Sequence, residues 1–317
     1  MHIPPRIAPL TETNRVRIES IRIRRTRACV AIFVMATSAL LARCGTPAKP
    51  ADKAAPVSAT ANQSTITIQC PPRGAFGNGP TYYSQYYEDY VLGYVFKDYE
   101  HGFYVDVGVN DPDDSSVTKY FYLAGWRGIN IEPIPELVEK LKKSRPEDTN
   151  KGVAISDTPG ELPFYKGVKN SGLSTLDPKI AASHRAKGYE FTTIMIPVTT
   201  LTAVLDADAK GKSEITFLNV DVEGFEKQVF SSIDFKRYVP RVIMAESTTP
   251  LTEAPTYQRW EPILLDNGYI FAMSDGLNRY YVHKSEENLL PKFIEANYCV
   301  LRDKLDKRLH LDGFKPR

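Results

Sequence analysis

The chain has 317 residues, of which 42% are hydrophobic and 25% charged, and its formal net charge is +2. This composition is typical of globular protein with one large domain or two small ones. Six arginines fall between Arg15 and Arg27. Because the rest of the chain is nearly neutral, we expect no nucleic-acid surface in it.

The cysteines and histidines show no spacing that points to a metal. Cys29, Cys44, Cys70 and Cys299 are widely separated and form no CxxC pair, and no two histidines stand as HxxxH or HxH. We therefore expect neither a disulfide framework nor a zinc site. His184 is the one histidine placed to act as a base from an insertion, with a solvated loop histidine as the alternative.

The N-terminal part divides into three segments by composition. Residues 1–27 are predicted to be a disordered basic arm, 28–44 an apolar signal-like or anchor-like segment, and 45–64 an Ala/Pro-rich linker. The apolar run 28–42 is short for a transmembrane helix and has arginines on both flanks. A cytoplasmic catalytic domain is favoured. Membrane association through residues 28–42, export and a wrongly chosen start codon stay open.

The folded domain is predicted to cover residues 65–317, and its first half alternates helices with strands. The helices are predicted at 81–96, 115–124 and 136–143, and the strands at 102–107, 126–132 and 151–156. In the first helix Ser84 is the candidate N-cap, and Glu88 and Asp89 are assigned to the polar face. Gly125 is expected to end the second helix.

The second half begins with a long polar stretch and ends in a hairpin. Residues 160–193 are predicted to be an irregular insertion that serves as a lid or binding loop. After it we expect strands at 194–198, 215–221 and 241–246, helices at 201–209, 226–231 and 257–267, an antiparallel hairpin of 269–273 with 279–283, and an outer charged helix at 289–311.

Three predicted strands end in acidic residues, namely Asp106, Glu132 and Asp221. In open α/β sheets the carboxyl ends of parallel strands form the ligand cleft. The G-x-G-x-x-G spacing of dinucleotide enzymes is missing, and acids follow Gly108 where a pyrophosphate would need backbone donors. Such a cleft suits a ligand with sulfonium and ammonium groups better than a phosphate, which disfavours a dehydrogenase.

Six motifs stand in order along the folded domain. They are Ser84-Gln85-x-x-x-Asp89, Phe103-Tyr104-Val105-Asp106-Val107-Gly108-x-Asn110-Asp111, Gly125-Trp126-Arg127-Gly128-Ile129-Asn130-Ile131-Glu132-Pro133, Val153-Ala154-Ile155-Ser156, Leu218-Asn219-Val220-Asp221-Val222-Glu223-Gly224-Phe225-Glu226 and Asp275-Gly276-x-Asn278-Arg279-Tyr280-Tyr281-Val282. Together they resemble the FkbM family of methyltransferases. The resemblance covers about residues 83–283. Pro112 departs from it, because a glycine is usual there and proline removes a backbone donor.

The resemblance implies an α/β fold with a class I methyltransferase Rossmann-like sheet, mostly parallel with a C-terminal antiparallel hairpin and helices on both faces. It implies S-adenosyl-L-methionine as co-substrate and O-methylation of a small-molecule or glycan acceptor, such as a sugar, polysaccharide or natural product. Matched by position, Asp106, Gly108 and Asn110 would line the methionine end, Glu132 the ribose, and Ala154 to Asp157 the adenine edge.

Candidate catalytic residues follow the fourth main strand. We expect Asp221 beside the donor methyl and Glu223 or Glu226 as acceptor of the hydroxyl proton. Mg²⁺ held by Asp221, Glu223 and Glu246 is an alternative that is not favoured, and no metal site is predicted. The rival hypothesis is a non-catalytic or exported binding protein that keeps the fold.

Overall fold

The computed structural model describes residues 68, 70, 82–209, 214–252 and 254–311, and side chains as far as residue 305. The predicted arm 1–27, signal-like segment 28–44 and linker 45–64 lie outside the described residues. Residues Gln69–Arg317 form one compact unit. Within the described part of the chain, no helix combines the length and the apolar character needed to cross a membrane.

Helices and strands alternate through this unit. The helices are α1 (Glu88–Val95), α2 (Lys119–Leu123), α3 (Pro135–Ser144), α4 (Pro178–Ala186), α5 (Leu201–Asp208), α6 (Glu226–Ser231), α7 (Glu261–Asp266) and α8 (Leu290–Leu311). The strands are β1 (Phe103–Val107), β2 (Arg127–Ile131), β3 (Thr149–Lys151), β4 (Ala154–Ile155), β5 (Gly160–Gly167), β6 (Phe191–Thr199), β7 (Phe217–Val220), β8 (Val242–Glu246), β9 (Tyr269–Ser274) and β10 (Asn278–His283).

The main sheet has seven strands in the order β3-β2-β1-β7-β8-β10-β9. Its first five strands pair in parallel, whereas β10 pairs antiparallel with both β8 and β9. This arrangement confirms the predicted class I methyltransferase Rossmann-like sheet with a C-terminal antiparallel hairpin. The direction in which successive strands are added to the sheet reverses between β1 and β7. Their carboxyl ends therefore border the expected ligand crevice.

The two faces of this sheet carry different side chains because successive residues of a strand point to opposite sides. Val105, Ile129, Leu218 and Ile243 belong to a hydrophobic core that includes residues of α5, α6 and α7. On the other face Tyr104 and Phe217 stack, and Phe217 also contacts Phe96, Phe121 and Trp126. Asp106 and Asn219 follow Val105 and Leu218 and are paired in register on this second face.

The predicted irregular insertion is ordered, which corrects the sequence interpretation of residues 160–193. β5 pairs antiparallel with β6 along its full length, and β4 pairs with the end of β6 in a second sheet of order β4-β6-β5. The predicted single strand 151–156 is therefore two strands in two sheets. β5 is an edge strand, where Pro163 is tolerated because its missing N–H faces away from the ladder.

Two predictions about charged and sulfur-containing residues are wrong. Glu88 and Asp89 are buried, and their carboxylates accept hydrogen bonds from the backbone N–H groups of Tyr86 and Tyr83, respectively, which offset the cost of burial. Cys70 and Cys299 form a disulfide across a sequence separation of 229 residues. That bond joins the start of the compact unit to α8, which also buries Phe293 and Ala296 and so is not merely an outer helix.

Candidate active site

A cleft opens where the parallel strands of the main sheet end. Its lining residues include the predicted acids Asp106, Glu132, Asp221 and Glu223, together with Gly108. Among the described residues that line it, none is a lysine or arginine. The structure therefore brings the strand-end acids together around one cavity, as the sequence predicts.

Gly108 sets the distance between the first strand and the fourth. Its φ is +88°, a left-handed value that favours glycine, and a Cβ placed on it would lie 1.7 Å from the carbonyl oxygen of Asp221. The backbone N–H of Gly108 also donates to the carbonyl of Ile131, at 2.9 Å. The loop after β1 thus packs directly against the backbone of the loop after β7.

A buried network fixes the carboxylate of Asp106. Thr118 Oγ1 donates to Asp106 Oδ2 at 2.6 Å, and Asn219 Nδ2 donates to Oδ1 at 2.8 Å. Arg145, buried at the end of α3, donates to Thr118 Oγ1 at 2.6 Å and to the carbonyl of Pro112 at 2.7 Å. Burial raises the pKa of Asp106. Sequence reasoning missed Arg145, because an arginine that follows the charged end of a helix is expected at the surface.

Glu132 supports the backbone around the cleft as well as lining it. Its two carboxylate oxygens accept from the N–H groups of Asn110 at 2.9 Å and Ile134 at 2.8 Å. The side chain is 3% exposed, and burial raises its pKa to about 7. Each oxygen keeps a second lone pair, so the carboxylate retains the capacity to accept from a bound hydroxyl.

The opposite part of the lining is apolar. Ala154 lines the cleft with Ile134, Ile155, Phe164 and Leu176. Asp157 is exposed and is not among the lining residues. The predicted role of Asp157 at an adenine edge therefore stays a prediction that the lining does not support.

The loop after β7 holds the predicted catalytic acids in a tight turn. Glu223 and Gly224 both have left-handed backbones, with φ of 53° and 96°. Glu223 therefore lies before helix α6 rather than on an extended strand. Glu226 is the first residue of α6, and its Oε1 accepts from the N–H of Gly224 at 3.0 Å. Glu226 is buried and does not line the cleft, whereas Asp221 and Glu223 do.

Glu246, the last residue of β8, completes an acidic group with Asp221 and Glu223. One carboxylate oxygen from each of the three lies within 4.8 Å of the others. Burial raises the pKa of Asp221 to about 7, with further increases from the charges of Glu226, Glu88 and Asp106. Burial and the neighbouring carboxylates also hold the pKa values of Glu223 and Glu246 well above their usual range.

The insertion lines part of the cleft and contacts both of its loops. Ser171 Oγ donates to Asn110 Oδ1 at 2.7 Å, and Thr175 Oγ1 donates to the carbonyl of Glu223 at 2.8 Å. A Cβ on Gly224 would lie 2.1 Å from the side chain of Ile180 in α4. Sequence reasoning missed these contacts, because short polar residues in an insertion give no signal of their partners.

His184 is buried in α4 rather than solvated, and it lies against Phe191 of β6. It is not among the residues that line the cleft. Burial lowers its pKa. The structure therefore supports neither the loop histidine nor the catalytic base that the sequence left open.

The family model described as the methyltransferase FkbM domain matches residues 106–271, which contain the strand ends and both loops of the cleft. No curated protein matches the chain.

Matching solved structures include two methyltransferases. One is a TehB-like SAM-dependent methyltransferase from Corynebacterium glutamicum, with 7% identity, a TM-score of 0.34, and coverage of 62% of this chain and 88% of that one. The other is an O-methyltransferase from Bacillus cereus in complex with SAH, with 10% identity, a TM-score of 0.31, and coverage of 66% and 84%. At these values the two structures add nothing to the assignment. Because the family model spans more than half of the chain, the protein belongs to the FkbM methyltransferase family and is an S-adenosyl-L-methionine-dependent methyltransferase.

Proposed function

We propose that the protein transfers the methyl group of S-adenosyl-L-methionine to a hydroxyl oxygen of a small-molecule or glycan acceptor. The observation that carries this proposal is the cleft itself, where the lining contributed by the described residues has four carboxylates and no basic side chain. A dinucleotide would bring two phosphates into this negative field, whereas S-adenosyl-L-methionine brings a sulfonium and an ammonium group. The apolar lining around Ala154 and Ile155 provides a surface for a purine ring.

In this proposal the residues after β1 and β2 bind the co-substrate. Gly108 and Asn110 lie beside its methionine end, and Asp106 contributes negative charge from the cleft wall. Glu132 accepts hydrogen bonds from the ribose hydroxyls through its remaining lone pairs. Asp157 is assigned no contact, because it is exposed and lies off the lining.

Methyl transfer breaks the carbon–sulfur bond, whose electron pair leaves on sulfur, as the acceptor oxygen forms its bond to carbon. The protein has to align the two reactants and take the hydroxyl proton. We assign alignment beside the methyl group to Asp221 and proton acceptance to Glu223, since both line the cleft. Glu226 supports the turn through its bond to the N–H of Gly224 and acts on Glu223 only through its position and charge.

The disulfide bears on the compartment in which this reaction takes place. Disulfides persist in oxidising compartments and are rare in the cytosol. The bond between Cys70 and Cys299 therefore favours the exported or anchored alternative over the cytoplasmic one that the sequence favours. Fractionation of the native host, followed by labelling of free thiols in each fraction, tests this point. Two free thiols at Cys70 and Cys299 in the protein as isolated would contradict it.

Calorimetry on the full chain tests the proposed function. S-adenosyl-L-methionine and S-adenosylhomocysteine should both bind, and Glu132→Gln should abolish or severely weaken binding. Glu139→Gln is the matched control, because Glu139 is an exposed residue of α3 at which the same change leaves the cleft intact. Transfer of a labelled methyl group to fractionated glycans and metabolites then identifies the acceptor. Absence of binding to either compound would overturn the proposal.

A further inference from the structure

We propose that Asp221, Glu223 and Glu246 form a binding site for one divalent cation, of the class of Mg²⁺ and Mn²⁺. The site lies at the carboxyl ends of the adjacent parallel strands β7 and β8, beside the cleft that holds the co-substrate. It revises the expectation from the sequence, which favours no metal.

The donor set is suited to a hard cation. Each of the three residues offers one carboxylate oxygen, and these oxygens lie within 4.8 Å of one another. Mg²⁺ and Mn²⁺ prefer oxygen ligands and commonly take one or more carboxylates together with water or substrate oxygens. Three protein oxygens leave coordination positions for such exogenous ligands.

A separate observation is that Glu246 has a buried oxygen with no partner. The residue is 5% exposed, and its Oε2 accepts no hydrogen bond from the described residues. The same holds for the buried Oε2 of Glu223. Within the part of the chain that the structure describes, no lysine, arginine or histidine pairs with any of the three carboxylates. A buried carboxylate oxygen without a partner is costly, and a cation between the three groups removes that cost.

Neighbouring buried acids differ from these three because the protein already satisfies them. Asp106 accepts from Thr118 and Asn219, Glu226 accepts from the N–H of Gly224, and Glu88 accepts from Asn278 and from the N–H of Tyr86. Among these neighbouring acids, as far as the described residues show, the buried carboxylate oxygens without a hydrogen-bond partner belong to Glu223 and Glu246. This contrast separates a binding site from a generally acidic cleft wall.

The role of the cation rests on the proposed function. Bound next to the cleft, it would coordinate the acceptor hydroxyl oxygen and lower the pKa of that hydroxyl. The oxygen of Glu223 that is not coordinated would take the proton as the oxygen–carbon bond forms and the carbon–sulfur bond breaks. The cation is neither oxidised nor reduced.

Direct titration with Mn²⁺ tests the site without a requirement for turnover. Full-length protein, freed of metal with EDTA and dialysed, is titrated while electron paramagnetic resonance follows the signal of free Mn²⁺. One equivalent should bind. Glu246→Gln should weaken Mn²⁺ binding by about 10-fold or more, because loss of a group that only supports a metal ligand already costs about 10- to 100-fold in affinity. Glu88→Gln is the matched control, because it removes a nearby buried charge whose oxygens are already satisfied, and it should change the affinity far less.

Folding and function are checked on the same samples. Glu246→Gln keeps the size of the side chain and removes a buried charge. The melting temperature of the metal-free variant should therefore be no lower than that of the metal-free wild type. S-adenosylhomocysteine binding measured in EDTA reports on the proposed function by itself. If the wild type binds S-adenosylhomocysteine but not Mn²⁺, or if Glu246→Gln binds Mn²⁺ like the wild type, the metal site is overturned while the methyltransferase assignment stands. If Mn²⁺ binds as expected and S-adenosylhomocysteine does not, the metal site stands and the proposed function fails.

Discussion

Gly108 provides a sharp test of how the two loops of the cleft are held together. Gly108→Ala introduces a methyl group whose carbon would lie 1.7 Å from the carbonyl oxygen of Asp221, at a backbone φ of +88°. The obstacle is backbone rather than a flexible side chain, so one of the two loops has to move. Because one loop follows Asp106 and carries Asn110, and the other begins with Asp221, we expect the movement to disrupt the co-substrate site.

A second glycine separates the two contributions to this effect. Gly125 has a φ of +90°, and a Cβ there would meet nothing within 4 Å. Gly125→Ala should therefore show only the conformational cost of a left-handed alanine, about 1–2 kcal/mol in the free energy of unfolding. Gly108→Ala carries the same conformational cost and adds the overlap with Asp221, which costs about 1–3 kcal/mol at an overpacked site. Its total loss in the free energy of unfolding should therefore be about 2–5 kcal/mol.

Urea unfolding and calorimetry with S-adenosylhomocysteine measure both consequences. Gly125→Ala should bind the ligand with the affinity of the wild type despite its lower stability. Gly108→Ala should be the less stable of the two and should lose measurable binding. If Gly108→Ala binds normally and loses no more stability than Gly125→Ala, then the contact between Gly108 and Asp221 does not define the cleft.

Three other features give predictions of stability and turnover. Cys299→Ser should lower the free energy of unfolding by about 3–5 kcal/mol, because the disulfide closes a loop of 229 residues. Cys70→Ser and the double variant should lower it by the same amount in chemical denaturation. If the losses of the two single variants add in the double variant, the two cysteines are not paired. Glu132 has a pKa raised from 4.5 to about 7. Between these values the native state binds more protons than the unfolded chain, so the free energy of unfolding should fall as pH rises, by about 3 kcal/mol for this group. Glu132→Gln should flatten that part of the pH profile, and an unchanged slope would contradict the assignment. Thr175→Val removes the hydrogen bond to the carbonyl of Glu223 and should lower kcat with little change in S-adenosylhomocysteine affinity. Thr193→Val, at an exposed position of β6, should leave both kcat and affinity unchanged.

The main sheet could be predicted because its strands carry strong local signals. Phe103–Val107 and Phe217–Val220 are short, mainly apolar runs with an acid next to their carboxyl end, Asp106 inside the first and Asp221 directly after the second. Asp275-Gly276 separates the two strands of the terminal hairpin. A buried parallel strand needs apolar residues on both faces, so the run itself reveals it. The position of the cleft follows from the same signals, because it lies where these runs stop.

The insertion and the buried acids could not be predicted, for a different reason. β5 contains Pro163 and is exposed over much of its length, so it shows neither a buried run nor a clear alternation. Glu88 and Asp89 have the charge of surface residues, and only the chain that folds back onto them makes them buried acceptors. A disulfide between residues that lie 229 positions apart likewise leaves no trace in local spacing. In each case the interaction partner is distant in the sequence or is a backbone group. A local pattern of side chains therefore does not reveal it.

The insertion is therefore part of the site rather than an addition to it. Two of its residues, which lie within a stretch of five, hydrogen-bond to the two loops of the cleft. Ser171 bonds to Asn110 on the loop after β1, and Thr175 bonds to the carbonyl of Glu223 on the loop after β7. These two loops carry the proposed co-substrate contacts and the proposed proton acceptor, respectively. The insertion thus holds the two halves of the reaction at a fixed separation, and Glu223, with its left-handed backbone, needs such support to keep its carboxylate in the cleft. Sequence changes in 171–175 should alter the alignment of donor and acceptor even though none of these residues takes part in the chemistry.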